Sequence, residues 1–156
     1  MKTNIKAIPE GYHTATAYLI AGNAGKAIDF YKEVFGAKEL SRLPMPNGKI
    51  GHAEIQIGDS RIMLADEFPE WDARSPETIG GSPVIIALYV EDVDAVVGRA
   101  VAAGAKLFKP VADQFYGDRS GSITDPFGHK WNIATHKEDV SPEEINKRAA
   151  ALFGTT

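Results

Sequence analysis

Residues 27–38 read AIDFYKEVFGAK and residues 95–106 read AVVGRAVAAGAK, so Ala27, Gly36, Ala37 and Lys38 return as Ala95, Gly104, Ala105 and Lys106 at an offset of 68. An internal repeat constrains a fold more than any single motif, because whatever supersecondary unit one copy forms, the other must form as well. The flanks repeat too. Residues 14–21 (TATAYLIA) read as a strand. Asn23 then caps a helix whose Ala27, Ile28, Tyr31, Val34 and Phe35 share one face, and Gly36 closes it. Short strands follow at 39–43, 50–57 and 61–65, with Pro46-Asn47-Gly48-Lys49 as a hairpin signal and Gly58-Asp59-Ser60 as the last turn.

The order starts again after 67–83. A strand at 84–90 (VIIALYV) is followed by Asp92, which caps a helix striped by Val93, Val96, Val97, Ala100 and Val101. Gly104 ends that helix, and strands are expected at 107–111, 120–124 and 130–135. Each copy is therefore a βαβββ unit, at 13–66 and 84–136. The stretch ITDPFGHKWNI at 123–133 gathers a carboxylate, an imidazole and an indole. In the repeat it falls on the last turn, where Pro126 presets φ and Gly128 supplies φ > 0, so Asp125 and Gly128 read as turn residues. Outside the repeat, Ser141-Pro142-Glu143-Glu144 opens a C-terminal helix at 141–153, with Ile145, Ala149, Leu152 and Phe153 on one side. It either packs on the body or clasps a second subunit.

The 156 residues are 44% hydrophobic, with formal net charge −4 and both signs interspersed. A core is affordable, and the clustered Lys and Arg of a nucleic-acid surface are missing. The sequence contains no cysteine, which removes disulfides, thiolate metal sites and a Cys nucleophile. No apolar run reaches the ~20 residues of a membrane span. The start MKTNIKAIPEGY has no signal-like apolar segment, so a cytoplasmic protein is expected.

The stretches YLIAGNAGKAIDFYKEVFGA, GKIGHAEIQIGDSRIMLADEFPEW, LYVEDVDAVVGRAVAAGA and DQFYGDRSGSITDPFGHKW resemble the vicinal oxygen chelate superfamily, specifically its PhnB-like, glyoxalase/bleomycin-resistance branch, over about residues 12–140. The resemblance implies an α+β fold of two tandem βαβββ units whose curved mixed sheets surround a cup. It implies a small-molecule ligand and a homodimer. In metal-dependent members, strands one and four of each unit supply His, Gln or Glu ligands. Carried onto this chain, those places fall on one of Ala15, Thr16 and Ala17, then on Leu64, Ile85 and Asn132. Only Thr16 or Asn132 offers an oxygen, and weakly, so the usual divalent metal is expected to be absent.

Alternation on 51–57 places Ala53, Ile55 and Ile57 on one face and His52, Glu54 and Gln56 on the other. The offset gives Ser120, Ser122 and Thr124 in the second unit. The polar triplet faces ligand, solvent or a partner. His52 and Glu54 are also the acid–base candidates if the protein is an enzyme of the lyase or isomerase type, with or without a divergent metal site. The ligand-binding expectation comprises His52, Glu54, Gln56, Tyr89, Phe115, Tyr116, Arg119 and Asn132. Phe115 and Tyr116 are aromatic on a connector, Asp118 and Arg119 pair or Arg119 clamps an anion, and Phe68, Pro69 and Trp71 cover the cup or form an ordinary linker. His13 and His136 read as surface residues, and His129 as helix-side with Trp131. A drug-sequestering protein is the third reading; the net charge permits it without selecting it.

Overall fold

A computed structural model describes residues 4–154. Contacts divide the chain into two compact units, the first running to Gly81 and the second starting at Ser82.

The first unit runs β1 (Tyr18–Ala21), α1 (Ala24–Phe35), β2 (Lys38–Pro44), β3 (Ile50–Ile57) and β4 (Ser60–Asp66). Its four-stranded sheet has the order β1-β4-β3-β2, with β1 parallel to β4 and the other pairs antiparallel. Asn23 Oδ1 accepts from the Lys26 amide, and Gly36 at φ 67° closes α1, since a left-handed cap favours glycine. The helix buries Ala24, Ala27, Ile28, Phe30, Tyr31 and Val34, and the facing side of the sheet buries Leu19, Ala53, Ile55, Ile57, Ile62 and Leu64. Each large apolar side chain so buried contributes about 1.5–3 kcal/mol. Asp66 ties helix to sheet: Oδ1 accepts from the Ala24 amide at 2.7 Å and Oδ2 from the Ile50 amide at 2.6 Å.

β1 is shorter than the sequence pattern, because its ladder with β4 begins at Tyr18↔Met63. Residues 14–17 have no ladder of their own, apart from Ala17 O accepting from the Met63 amide. The preceding segment is held by a side chain instead. The Arg61 guanidinium lies 4.9 Å from the Tyr12 ring centroid and donates to Glu10 O at 3.2 Å.

Residues 67–81 pack on this unit, with a 3-10 turn (Pro69–Trp71) and a short helix α2 (Pro76–Ile79). Phe68 is buried under Lys49 and stacks on Trp71, which stays 63% exposed. The segment is thus more than a bare linker.

The second unit repeats the plan as β5 (Ile85–Tyr89), α3 (Val93–Ala102), β6 (Lys106–Asp113), β7 (Asp118–Thr124) and β8 (Lys130–His136), with sheet order β5-β8-β7-β6. Asp92 accepts from the Ala95 amide, and α3 buries Val93, Val96, Val97 and Ala100, whereas Val101 is 44% exposed. The fold class is therefore α+β, two mixed four-stranded sheets each with a helix.

The DPFG segment is the β7–β8 turn. The Asp125 amide donates to His129 O, the Gly128 amide donates to Asp125 O, and Gly128 has φ 89°. Helix α4 (Pro142–Phe153) starts as expected, with Ser141 Oγ accepting from the Glu144 amide. It buries none of its residues. It is tied to the second unit by Arg148, which reaches Glu138, Glu144 and Phe115 O.

Candidate functional site

The strand registers decide which side chains share a face. In the first unit Glu54 pairs with Met63, Met63 with Tyr18, Ser41 with Glu54, and Leu43 with His52. These residues lie on the face opposite α1. Alternation correctly separates them from buried Ala53, Ile55 and Ile57.

On that face the polar groups join. Tyr18 Oη is 2.8 Å from His52 Nδ1, and His52 Nε2 is 3.3 Å from Glu54 Oε1. The His52 and Glu54 side chains are 32% and 24% exposed, open enough for a ligand and shielded enough to be held in place. Tyr12 Oη is buried and makes no hydrogen bond of good geometry, although it lies toward Glu54. That hydroxyl, followed by His52, holds Glu54 below the ordinary carboxylate range despite partial desolvation. Burial first, then the Glu54 charge, pushes the Tyr12 and Tyr18 phenols up. Gln56 shares the face, but its amide turns back to Gly58 O at 3.0 Å.

The second unit has its own polar face opposite α3. Ser122 donates to Asn132 Oδ1 at 3.0 Å across the β7–β8 pair. Further along, Tyr89 Oη donates to Asp118 Oδ2 at 2.8 Å. His136 Nδ1 meets Asp118 Oδ1 and its Nε2 meets Asp139 Oδ1, both at 2.7 Å. Asp118 thus pairs with His136 rather than with Arg119. Arg119 lies on the opposite, helix-facing side. It donates to both Asp94 oxygens, at 2.8 and 3.0 Å, and to Asp113 at 3.2 Å. Adjacent residues of a strand point to opposite faces, so Arg119 cannot join Ser120, Ser122 and Asn132. Phe115 packs edge-on against Phe153 of α4 and against Tyr116, which is itself 37% exposed. Phe115 therefore serves to seat α4. His13 is exposed. The His129 amide is bound by Asp125, within the turn.

The structure corrects one register. Leu64 is fully buried and pairs with Ala53 on the helix side. The β4 residue that corresponds to Asn132 is Met63, since Glu54 pairs with Met63 as Ser122 pairs with Asn132. The β7–β8 turn, closed by Thr124↔Lys130, is longer than the β3–β4 turn, closed by Ile57↔Ser60, so the offset slips by one residue there. Met63, Ile85 and Asn132 present a thioether, an alkyl group and a neutral amide, none of them a charged or strong donor for a divalent transition metal. Among the described residues there is no grouping of three His, Cys, Asp or Glu placed to hold an ion.

His136 yields a pH prediction. Asp118 first, then Asp139, raise its pKa above the ordinary value. A pKa higher in the folded than in the unfolded chain gives stabilisation that is complete below the unfolded value of about 6.5 and fades as pH rises through the folded one. The melting temperature of the protein should therefore exceed that of His136→Gln most at about pH 6, with the gap narrowing toward pH 9. A gap that widens with pH would contradict the assignment.

With this geometry in hand, comparison with known proteins places the chain. Residues 12–133 match the family model of the glyoxalase/bleomycin resistance protein/dioxygenase superfamily, and the chain belongs to that superfamily. An uncharacterised protein of Mycobacterium tuberculosis H37Rv is 42% identical over 131 residues, spanning 82% of this chain and 77% of that one. A lactoylglutathione lyase of Neisseria meningitidis is 28% identical over 114 residues, spanning 72% and 82%. The crystal structure of TioX from Micromonospora sp. ML1 superposes with a TM-score of 0.63 at 27% identity, covering 80% of this chain and 99% of that one. No described helix is long and apolar enough to cross a membrane.

Proposed function

We propose that the protein binds a small polar molecule on the face of the first-unit sheet opposite α1, through Tyr18, His52 and Glu54, and does so without the divalent metal used by other members of its superfamily. The observation that carries this reading is the hydrogen-bonded series Tyr18–His52–Glu54, in which three side chains from β1 and β3 converge on a half-open surface. Surface alternation alone would leave such groups pointing separately into water. Asn132 and Ser122 form the corresponding polar face of the second unit. The pairing of His52 with Glu54 also supports the enzymatic alternative, a lyase or isomerase type of reaction run by acid–base chemistry.

The test is a fragment screen of small polar molecules against isotope-labelled protein, read by NMR. Amide shifts should cluster at 52–56 and around Tyr18. For the best fragment, Glu54→Gln should weaken binding by about tenfold, as loss of a charge-assisted hydrogen bond does, with the melting temperature unmoved. Unchanged affinity together with a lowered melting temperature would make these residues structural and end the reading. The same sample bears on assembly. Leu152 and Phe153 of α4 are 63% and 77% exposed, and a dimer in sedimentation at micromolar concentration is expected, a monomer being the contrary result.

A further inference from the structure

The Tyr18–His52–Glu54 series has a direction. Glu54 is ionised and only accepts hydrogen bonds, so the His52 nitrogen facing it, Nε2, carries a hydrogen. In a neutral imidazole Nδ1 is then bare. Its neighbour at 2.8 Å is the Tyr18 hydroxyl, which must be the donor. The phenol hands its one proton inward, and its oxygen lone pairs are left for whatever lies above a side chain that is 47% exposed. The other polar groups facing this series are the Tyr12 hydroxyl, the Arg61 guanidinium and the Ser41 hydroxyl, which lies across from Glu54 on β2. Tyr12 leans on Glu54, and Arg61 is occupied by the Tyr12 ring and Glu10 O.

We propose that Tyr18 is the ligand-facing proton-transfer group of this site, with His52 as the base behind it and Glu54 as the residue that positions the imidazole and balances its charge. The inference rests on the binding reading above and extends it to a ligand class: small molecules presenting a hydroxyl or amine proton, or an electrophile. With a hydroxyl ligand, the ligand's proton passes to the Tyr18 oxygen while the Tyr18 proton passes to His52 Nδ1. The ligand is left as an oxyanion opposite an imidazolium compensated by Glu54. With an electrophile, the Tyr18 oxygen forms the new bond, the leaving group departs with its electron pair, and the Tyr18 proton again ends on His52. Neither step needs a metal or a redox partner. Tyr89 is a built-in comparison. It is 66% exposed and hydrogen-bonded, but to a carboxylate, Asp118, and therefore has no imidazole lone pair to take its proton.

The experiment uses the full chain and a small aryl sulfonyl fluoride, which transfers its sulfonyl group to a phenol oxygen and releases fluoride. Peptide mapping by mass spectrometry follows each tyrosine. Tyr18 should react roughly tenfold or more faster than Tyr89 and Tyr116, in line with assistance by a positioned base. His52→Gln and Glu54→Gln should bring Tyr18 down to the Tyr116 rate while leaving Tyr89 labelling as it was. Equal rates at Tyr18 and Tyr116 in the unmodified protein, or a Tyr18 rate indifferent to His52→Gln, would overturn the proposal. Nitrogen-15 NMR of His52 guards against a misfolded variant. Protonated Nε2 and bare Nδ1 are expected in the neutral ring, and the opposite tautomer refutes the relay without any mutation. The two readings fail separately. Fragment shifts at 52–56 with an unreactive Tyr18 leave binding and remove the relay; a reactive Tyr18 with no fragment shifts does the reverse.

Discussion

Asp125→Ala should destabilise the second unit by about 3–5 kcal/mol, among the larger effects a single residue can have. The carboxylate is 4% exposed and satisfies three donors. Oδ1 accepts from the Phe127 and His129 amides at 2.9 and 3.0 Å, and Oδ2 accepts from Trp131 Nε1 at 2.9 Å. Trp131 is completely buried, so alanine strands its indole N–H with no water to replace the partner. Each such orphan costs about 1–3 kcal/mol. Asp125→Asn keeps an oxygen for the two amides but sets an NH2 against the indole N–H, and should cost less, about 1–3 kcal/mol. Urea unfolding followed by Trp131 fluorescence, with Trp71→Phe to silence the exposed indole of the first unit, measures both. A loss under about 1 kcal/mol for alanine would mean that the turn holds itself without the carboxylate. The effect reaches function because β7 and β8, which this turn joins, carry Ser122, Asn132, Asp118 and His136.

The same segment illustrates what could be read from the sequence. Its turn chemistry was legible, since Pro126 and Gly128 have local reasons to be where they are. The indole–carboxylate bond was not, because it requires knowing that β8 returns alongside β7 with Trp131 on the helix side. The repeat followed from residues recurring at one offset, and the succession of elements and the division of β3 into apolar and polar faces followed from period-2 alternation and helix caps. The errors came wherever a face had to be carried across a turn or a residue read alone. Arg119 looked like an anion clamp next to Asp118, yet the strand sends the two to opposite faces, and Arg119 is taken by Asp94 and Asp113. His136 read as a surface residue and is exposed, but its partner went unseen. Counting back from the β7–β8 turn sets it opposite Asp118 and would have revealed the pair. Phe115 could be read either as a packing residue or as a ligand contact, and it meets Phe153. Tyr18 was absent from the expected site, although the parity of β1, with Leu19 and Ala21 buried, points it to the polar side. Tyr12 had no pattern to betray it, because it precedes the strand and is placed by Arg61.

The register correction carries the second large effect. Leu64→Glu should leave the first unit unfolded, whereas Met63→Glu should leave it folded. Leu64 has no exposed surface and faces the layer under α1, paired with Ala53. Truncating such a leucine costs about 2–5 kcal/mol on packing alone, and an unpaired carboxylate buried there adds several more. Together these reach the lower part of the roughly 5–15 kcal/mol that holds a whole domain together, and a unit of about half this chain sits toward that lower end. Met63 is one residue away but points to the opposite, partly open face, across from Glu54. A carboxylate there meets a like charge on the neighbouring strand, worth up to about 1 kcal/mol of destabilisation, and remains hydrated. Circular dichroism and thermal melting of the two variants separate the cases. Equal stability would mean that β4 is one residue out of register. It would also move the site, since the side chain facing Glu54 and Tyr18 would then be Leu64, and Met63 would belong to the core.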